Sequence, residues 1–386
     1  MNMRVVLYFL GRISMALGLA LGLTAALSVV CGDAGFAALA GAALVSLAAG
    51  MILQREKPSA VDNLSVREGI AITSLSWILV TFLGMLPYVF GGYLDILDGI
   101  LECISGLSGT GATVLTDIEI LPQSILVWRS LTHWLGGLGI IVIFIALFPQ
   151  FGHGVVHMMD AESTGPTSDR MLPRIGQMAK ALFTVYVILT TAAAALMICG
   201  LDFLTALEHA FSTIATGGFS PFNDSVAHFN SPLIEGVLIV FMILSSANFS
   251  IYVAAWRKGA RVIFRDTEFR LYVAMVLGAT ALMSLNLIYG ASYDSMEAVR
   301  ESFFQAASIS SSTGFVSADF DQWPSFSKGI LLLLMFCGGC AGSTAGGLKI
   351  TRLMLLIKTM HSVVWQKLSP RSVVQVHANG EEYNEE

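Results

Sequence analysis

Two stretches decide the fold of this chain: SISSSTGF at residues 308–315 and CGGCAGSTAGGLKI at residues 337–350. Both are rich in hydroxyl side chains or glycine, yet they stand among strongly apolar segments. At membrane depth, irregular backbone is accommodated only where it is buried in protein or lines a cavity. The carbonyl groups of such a strip suit a dehydrated cation. We interpret residues 308–315 as the lining of an ion path, with a polar loop on the outer surface as the alternative.

Composition points to a membrane protein. Of the 386 residues, 55% are hydrophobic and only 12% are charged, whereas soluble proteins carry about twice that charged fraction. Several apolar runs reach the roughly 20 residues that a membrane-spanning helix requires. The first run, residues 5–31, is too long for the apolar part of a signal peptide, so we count it as a membrane helix. These features predict an all-α polytopic membrane protein.

The placement of basic residues predicts the orientation in the membrane. Clusters of Lys and Arg follow alternate helices, most densely at residues 257–270 and 352–371, whereas the other side holds only Arg129, Arg300 and Lys328. Because basic loops stay in the cytoplasm, we expect a cytoplasmic amino terminus. The acidic residues of the opposite side, among them Asp117, then form an outer mouth that concentrates cations.

A repeat organises most of the chain. A unit of helix, short re-entrant helix, polar strip and returning helix recurs three times, which is a strong signal of architecture. Each strip contains a Thr-Gly pair, and aligning these pairs brings together Thr110 with Gly111, Thr216 with Gly217, and Thr313 with Gly314. Nine residues before these glycines stand Glu102, Glu208 and Gln305. The repeats predict units arranged around a pseudo-fourfold pore, preceded by two extra helices.

The repeat also divides the chain into segments. Residues 1–68 form the two amino-terminal helices with a cytoplasmic loop, and residues 372–386 form a charged tail. The three pore repeats lie between them, at residues 69–176, 177–267 and 268–371.

The strips have the chemistry of a potassium filter. Potassium must lose its water and find oxygen atoms in replacement, and backbone carbonyls supply these without a fixed charge that would trap the ion. Glycine lets the backbone adopt conformations that turn a carbonyl inward. The short helix before each strip directs the negative end of its dipole towards the ion. We therefore predict that the three Thr-Gly pairs form potassium sites.

A second glycine-rich segment, residues 338–347, predicts a break in the last long helix. Five glycines in ten residues cost a helix about 1 kcal/mol each relative to alanine. A loop freed there would reach into the ion path just inside the filter and gate it, with close helix packing as the alternative. The residues assigned to this gate are Gly338, Gly339, Gly342, Ser343, Gly346, Gly347 and Lys349.

The motifs together resemble those of the Trk/Ktr/HKT superfamily of potassium transporters, most closely its TrkH-type subunits. The matching stretches are SGTGATVL at 108–115, WRSLTHWLGGLGIIV at 128–142, DAESTGP at 160–166, STIATGGFSPFN at 212–223, SSSTGF at 310–315 and GGCAGSTAGGLKITR at 338–352. The two leading helices are similar to the TrkH type rather than the shorter Ktr type. One departure is Gly109, which stands where the family usually carries a hydroxyl residue.

The resemblance implies a non-enzymatic potassium uptake subunit of the bacterial inner membrane. It implies potassium as the transported ion, no organic cofactor, contact with lipid but not nucleic acid, a homodimer, and a cytoplasmic nucleotide-binding TrkA-like partner. The alternatives are a non-conducting scaffold and an ion-coupled symporter. The family builds its pore from four units, whereas this sequence contains three, so we expect a fragment or a shortened form rather than a ring completed by another chain.

Overall fold

The computed structural model describes residues 2–55, 65–139, 175–368, 376–378 and 381–383. These residues form two compact units, Met1–Ser225 and Val226–Glu386. The interpretation of residues 160–166 as a family motif lies outside the described residues.

The first unit contains the two leading helices and the first two polar strips. Its helices are α1 (Met3–Cys31), α2 (Phe36–Leu53), α3 (Val66–Gly84), α4 (Leu86–Phe90), α5 (Ile96–Ser108), α6 (Gln123–Gly137), α7 (Ile175–Met197) and α8 (Phe203–Ile214). The short helices α5 and α8 each begin at an aspartate cap, Asp95 and Asp202, and each leads into a strip. An N-cap aspartate satisfies backbone N–H groups that have no partner inside the helix.

The second unit contains the third strip and the glycine-rich loop. Its helices are α9 (Pro232–Ser245), α10 (Phe249–Lys258), α11 (Arg261–Arg265), α12 (Thr267–Ala291), α13 (Ser295–Ser310), α14 (Ser325–Cys337) and α15 (Ile350–Leu368). Helix α13 is the counterpart of α5 and α8, and it too begins at an aspartate cap, Asp294. The tail, predicted only as charged, includes a short antiparallel hairpin of β1 (Val376–Ala378) and β2 (Glu381–Tyr383).

Helix length and composition confirm a multi-pass membrane protein. Among the described residues, five helices are long and apolar enough to cross a membrane, or six if the bent pair α9 and α10 counts as one span. Mean hydropathy within the five reaches 1.7 to 2.2. The predicted helical membrane architecture is therefore correct, and α1 is a membrane-length helix, as the sequence indicated.

Two apolar segments do not form single continuous helices over their whole length. In the segment at residues 122–149, α6 ends at Gly137 and Gly139 follows with φ +84°, and residues 140–149 lie outside the described residues. The segment at residues 232–256 is broken after Ser245, and its two helices meet at 89°. Asn248 caps the second part by accepting a hydrogen bond from Ser250 N at 2.9 Å. The break exposes backbone groups that the glycine-rich loop then uses, as described below.

The turn between α1 and α2 is fastened to α6 by Asp33. Its carboxylate accepts hydrogen bonds from Ser124 N and Ser124 Oγ, both at 2.8 Å, and from Gly35 N at 3.0 Å. Ser28 Oγ also donates to it. Partial burial raises the pKa of Asp33, but these hydrogen bonds together outweigh burial, so the pKa is lower than usual. Asp33 thus caps α6 from a distant part of the chain.

Candidate ion path and gate

The three strips share one backbone pattern. Immediately after its short helix, each strip has an N–H group that donates to the carbonyl five residues earlier: Thr110 to Ser105 at 3.0 Å, Gly217 to Ser212 at 2.9 Å and Thr313 to Ser308 at 3.0 Å. The residues on either side of these donors have positive φ, and they are Gly109 and Gly111, Thr216 and Gly218, and Ser312 and Gly314. The repeat predicted from the sequence is therefore present in the backbone.

This pattern corrects the alignment of the second strip by one residue. Gly218, with φ +83°, matches Gly111 at +73° and Gly314 at +80°, whereas Gly217 does not have positive φ. Thr216 correspondingly matches Gly109 and Ser312, and Gly217 matches the threonines. The predicted grouping of Gly217 with Gly111 and Gly314 is wrong, because conformation and hydrogen bonding, not the letters Thr-Gly, set the register.

Gly217 is a glycine for a different reason. A Cβ atom built on Gly217 would lie 2.5 Å from the His133 ring of α6, closer than real Cβ contacts. The His133 ring also stacks on Phe219 with a centroid distance of 4.0 Å. The second strip therefore packs against α6 without a side chain at residue 217. The glycines at 136 and 137 likewise allow close packing, since a Cβ on Gly137 would approach Ala215 within 2.7 Å.

A buried ion pair supports the first strip. Glu102 of α5 accepts hydrogen bonds from Thr113 Oγ1 at 3.0 Å and from Val114 N at 3.1 Å, both beyond Gly111 in the chain. Arg129 Nε of α6 donates to Glu102 Oε1 at 2.6 Å, and the two side chains are 2% and 0% exposed. The carboxylate thus ties the far end of the strip to the short helix that precedes it.

Arg129 also reaches the second strip. Its Nη1 donates to Ser220 O at 3.0 Å, and its guanidinium lies 3.5 Å over the Phe219 ring. The sequence places Arg129 among the basic residues of the outer side, but in the structure it is buried between the first two strips. The signal was available, because a single arginine in the apolar segment 125–139 needs a buried partner.

The corrected register assigns Glu102 a different counterpart in the second repeat. His209, not Glu208, occupies that position, and its Nε2 lies 3.3 Å from Ser220 Oγ. Glu208 instead accepts a hydrogen bond from Gln123 Nε2 at 3.0 Å. In the third repeat, Gln305 Nε2 donates to Ser317 Oγ at 3.4 Å. Each short helix thus contacts its own strip 11 or 12 residues further on, through a different side chain.

The glycine-rich segment is a loop between α14 and α15. Gly338, Gly342 and Gly347 have positive φ. A Cβ on Gly338 would overlap Gly346 O, so the two ends of the loop touch through bare backbone. The predicted helix break is present.

Contacts from three directions hold this loop. At the break between α9 and α10, Cys340 N donates to Ser246 O at 2.9 Å and Phe249 N donates to Gly342 O at 3.0 Å. At the third strip, Gly346 N donates to Ser312 Oγ at 2.6 Å. At α12, Glu268 accepts from Ala341 N at 2.7 Å. The break between α9 and α10, which the sequence did not predict, therefore provides hydrogen-bonding partners for the loop.

Two other residues assigned to the gate turn inwards on the loop itself. Lys349 is 6% exposed and its Nζ donates to Ala345 O. Ser343 Oγ donates to Cys340 O at 2.6 Å. The Lys349 ammonium group is thus held by the loop backbone, rather than projecting as a free charge.

These features define a class: a multi-pass helical membrane protein whose short helices end in glycine-containing strips that share one backbone conformation. A sequence model of the TrkH family, described as a cation transport protein, matches residues 36–384. The chain is 34% identical to the Trk system potassium uptake protein TrkH of Halomonas elongata over 97% of this chain and 79% of that protein. Its identity to the protein of the same name from Salmonella typhimurium is 38%, covering 86% and 70%.

A solved structure agrees. The crystal structure of the potassium transporter TrkH from Vibrio parahaemolyticus matches with a TM-score of 0.87 and 30% identity, over 98% of this chain and 80% of that one. The chain belongs to the TrkH family of cation transport proteins. This membership confirms the predicted family, and it confirms the prediction of a transporter rather than an enzyme.

Proposed function

We propose that this chain takes up potassium across the membrane through a path lined by the carbonyl groups of its three strips. The observation that carries the proposal is the shared backbone pattern, with positive φ at Gly111, Gly218 and Gly314. The names of the relatives, potassium uptake proteins of the Trk system, support potassium as the ion. They do not favour the alternatives of a scaffold or a symporter of a second solute.

Potassium selection in this proposal comes from carbonyl oxygens, not from carboxylates. Thr110 and Thr313 flank the glycines in the first and third strips, and Gly217 takes that position in the second. The buried Glu102 and Arg129 neutralise each other and act as supports for the strips. A path without fixed charge binds a cation strongly enough to dehydrate it and weakly enough to release it.

The proposal is tested by comparing two glycines of the second unit. Gly314 has φ +80° and a Cβ there would meet nothing within 4 Å, so Gly314→Ser alters the strip without a clash. Gly236 in α9 also has open space, but it lacks positive φ, so Gly236→Ser is the matched control.

The measurement is uptake of potassium and sodium by the purified protein in liposomes. We expect wild type and Gly236→Ser to prefer potassium, and Gly314→Ser to lose this preference by a factor of about ten, equivalent to 1.4 kcal/mol. Equal selectivity of Gly314→Ser and wild type would exclude the carbonyl-filter assignment.

We propose further that the glycine-rich loop at residues 338–347 gates this path from the cytoplasmic side. Its contact with the third strip, between Gly346 N and Ser312 Oγ, supports this role. Residues 338, 339, 342, 343, 346, 347 and 349 remain the gate residues of the proposal. Movement of the loop would break that contact and so affect the strip directly.

We also propose an amino terminus in the cytoplasm of a bacterial inner membrane. This orientation puts Cys31, at the end of α1, and Cys199, after α7, on the outer side, and both are exposed. In single-cysteine proteins, a membrane-impermeant thiol reagent added outside intact cells should label both. Labelling only after the cells are opened would reverse the orientation.

The relatives are named as proteins of a Trk system, and such a system has more than one component. We propose that this chain forms a homodimer and binds a cytoplasmic nucleotide-binding TrkA-like subunit through its basic loops. Exchange of Arg257, Lys258, Arg261 and Arg265 for glutamine should weaken co-purification of that subunit while leaving the dimer intact. Unchanged co-purification would remove these loops from the interface.

A further inference from the structure

One carboxylate joins the glycine-rich loop to the start of α15. Glu268 lies in the first turn of α12 and is 3% exposed. Its Oε1 accepts hydrogen bonds from Ala341 N at 2.7 Å, from Thr351 N at 3.1 Å and from Thr351 Oγ1. Ala341 is in the loop, and Thr351 is in the first turn of α15. Three donors from two residues that are ten positions apart along the chain therefore meet at one oxygen atom.

The charge of Glu268 suits this place. Thr351 N is one of the N–H groups at the start of α15 that have no acceptor within the helix. The positive end of the α15 dipole favours a negative group there, and hydrogen bonds to an ionised acceptor are about twice as strong as neutral ones. Lys349, buried in the same region, interacts electrostatically with Glu268.

The other contacts of the loop are weaker in kind. Ser245 O, Ser246 O, Phe249 N and Ser312 Oγ are neutral groups that each exchange one hydrogen bond with the loop. Neutral hydrogen bonds contribute less to stability than those to a charged partner. Glu268 is therefore the strongest of these attachments, and it lies on a helix that belongs to neither side of the loop.

We propose that Glu268 is a positioning residue that fastens the glycine-rich loop in its closed conformation. The loop opens only when Ala341 and Thr351 leave this carboxylate. The description of this conformation as closed rests on the proposed function, in which the loop is a gate. The fastening itself is a separate property, and it can be measured without ion flux.

Cys340 reports on the fastening. It is next to Ala341 and fully buried, whereas Cys31 and Cys199 are exposed and Cys337 is partly exposed. In a protein with the other four cysteines exchanged for alanine, a small thiol reagent reacts with Cys340 only when the loop opens. Its labelling rate therefore measures the opening equilibrium.

We expect Glu268→Ala to raise the labelling rate of Cys340 by about tenfold or more, because a charge-assisted attachment is lost. Glu268→Gln keeps an acceptor without the charge, so its rate should fall between those of wild type and Glu268→Ala. Thr351→Val removes one donor and should also raise the rate, and Thr351→Ser should restore it. The control is Glu297→Gln, since Glu297 is an exposed carboxylate in the first turn of α13.

A wild-type labelling rate in folded Glu268→Ala would overturn the proposal. If that variant does not fold, the pair Thr351→Val and Thr351→Ser decides, and equal rates for the two would overturn it. Potassium flux distinguishes the fastening by Glu268 from the role of the loop as a gate. Faster labelling with higher flux supports both, whereas faster labelling with unchanged flux supports the fastening and contradicts the gate assignment.

Discussion

The polar strips and the glycine-rich loop are both irregular backbone in a helical membrane protein, but they are held differently. In each strip, one backbone N–H group donates to the carbonyl five residues earlier, and a later residue contacts a side chain of the short helix that precedes the strip. The loop is held by hydrogen bonds to Ser246, Glu268 and Ser312, which lie in three other parts of the chain. Local attachment preserves a strip's conformation, whereas attachment to separate elements allows a loop to come away as those elements move.

The largest effect is expected for the ion pair that supports the first two strips. Arg129→Met leaves Glu102 buried without its partner, which costs about 3–5 kcal/mol. The double variant Arg129→Met with Glu102→Gln should recover part of that loss. The measurement is the free energy of unfolding in detergent.

The control for this prediction is Arg300→Met. Arg300 pairs with Glu235 at 3.0 Å; Glu235 is only 2% exposed, but Arg300 is 32% exposed, so water can partly replace it. The loss should therefore be smaller, about 1–2 kcal/mol. A loss for Arg129→Met no greater than for Arg300→Met would mean that the strips do not depend on the buried pair.

The second prediction separates Gly217 from Gly218. Gly217→Ala should destabilise the protein by about 1–3 kcal/mol through its clash with the His133 ring, and His133→Ala should relieve that part of the cost. Gly218→Ala is unfavourable because of its φ of +83°, so His133→Ala should not relieve it. A double-mutant cycle of melting measurements tests this. Equal relief at both glycines would support the alignment of Gly217, rather than Gly218, with Gly111 and Gly314.

The third prediction concerns two glycines within the loop. Gly338→Ala should cost about 2 kcal/mol, because φ is +62° and the new methyl group overlaps Gly346 O. Gly346→Ala should stay within about 0.5 kcal/mol, since its φ is not positive and its nearest neighbour, Ser312 Oγ, is 3.4 Å away. Thermal melting of both variants provides the comparison. Similar losses would indicate that the surroundings of Gly338 and Gly346 differ from those described above.

The smallest effect is expected at Asp33, which fastens α6 much as Glu268 fastens α15. Its lowered pKa means that the ionised form stabilises the fold at neutral pH, and that this contribution is lost as pH falls through the folded-state pKa, which is lower than the ordinary pKa of an aspartate. Asp33→Asn should therefore cost about 1 kcal/mol at pH 7 and almost nothing in strong acid. Melting curves from pH 7 to pH 3 measure this, and labelling of Cys340 should not change. A constant difference across that range would contradict the assignment.

The sequence predicted the helices, the three strips and the loop because each has a local signature. Hydroxyl residues before a glycine, and five glycines in ten residues, are visible within a short window. The register of the second strip was not visible, since Gly217 is fixed by His133, far away in the chain. The break at residues 246–248 was missed for a similar reason, because the segment is apolar throughout and partners from the loop stabilise the break. The burial of Arg129 could not be predicted without knowing that Glu102 is its neighbour in the fold.

The contact between His133 and Gly217 also constrains how this sequence is able to evolve. A methyl group at residue 217 has no room while the imidazole ring is present. Alanine at residue 217 fits only beside a smaller residue at 133, and that replacement alone leaves an unfilled space beside Phe219. Each single change therefore has a cost that the two changes together reduce. Such coupling makes the pair slow to change, although neither residue needs to touch the transported ion.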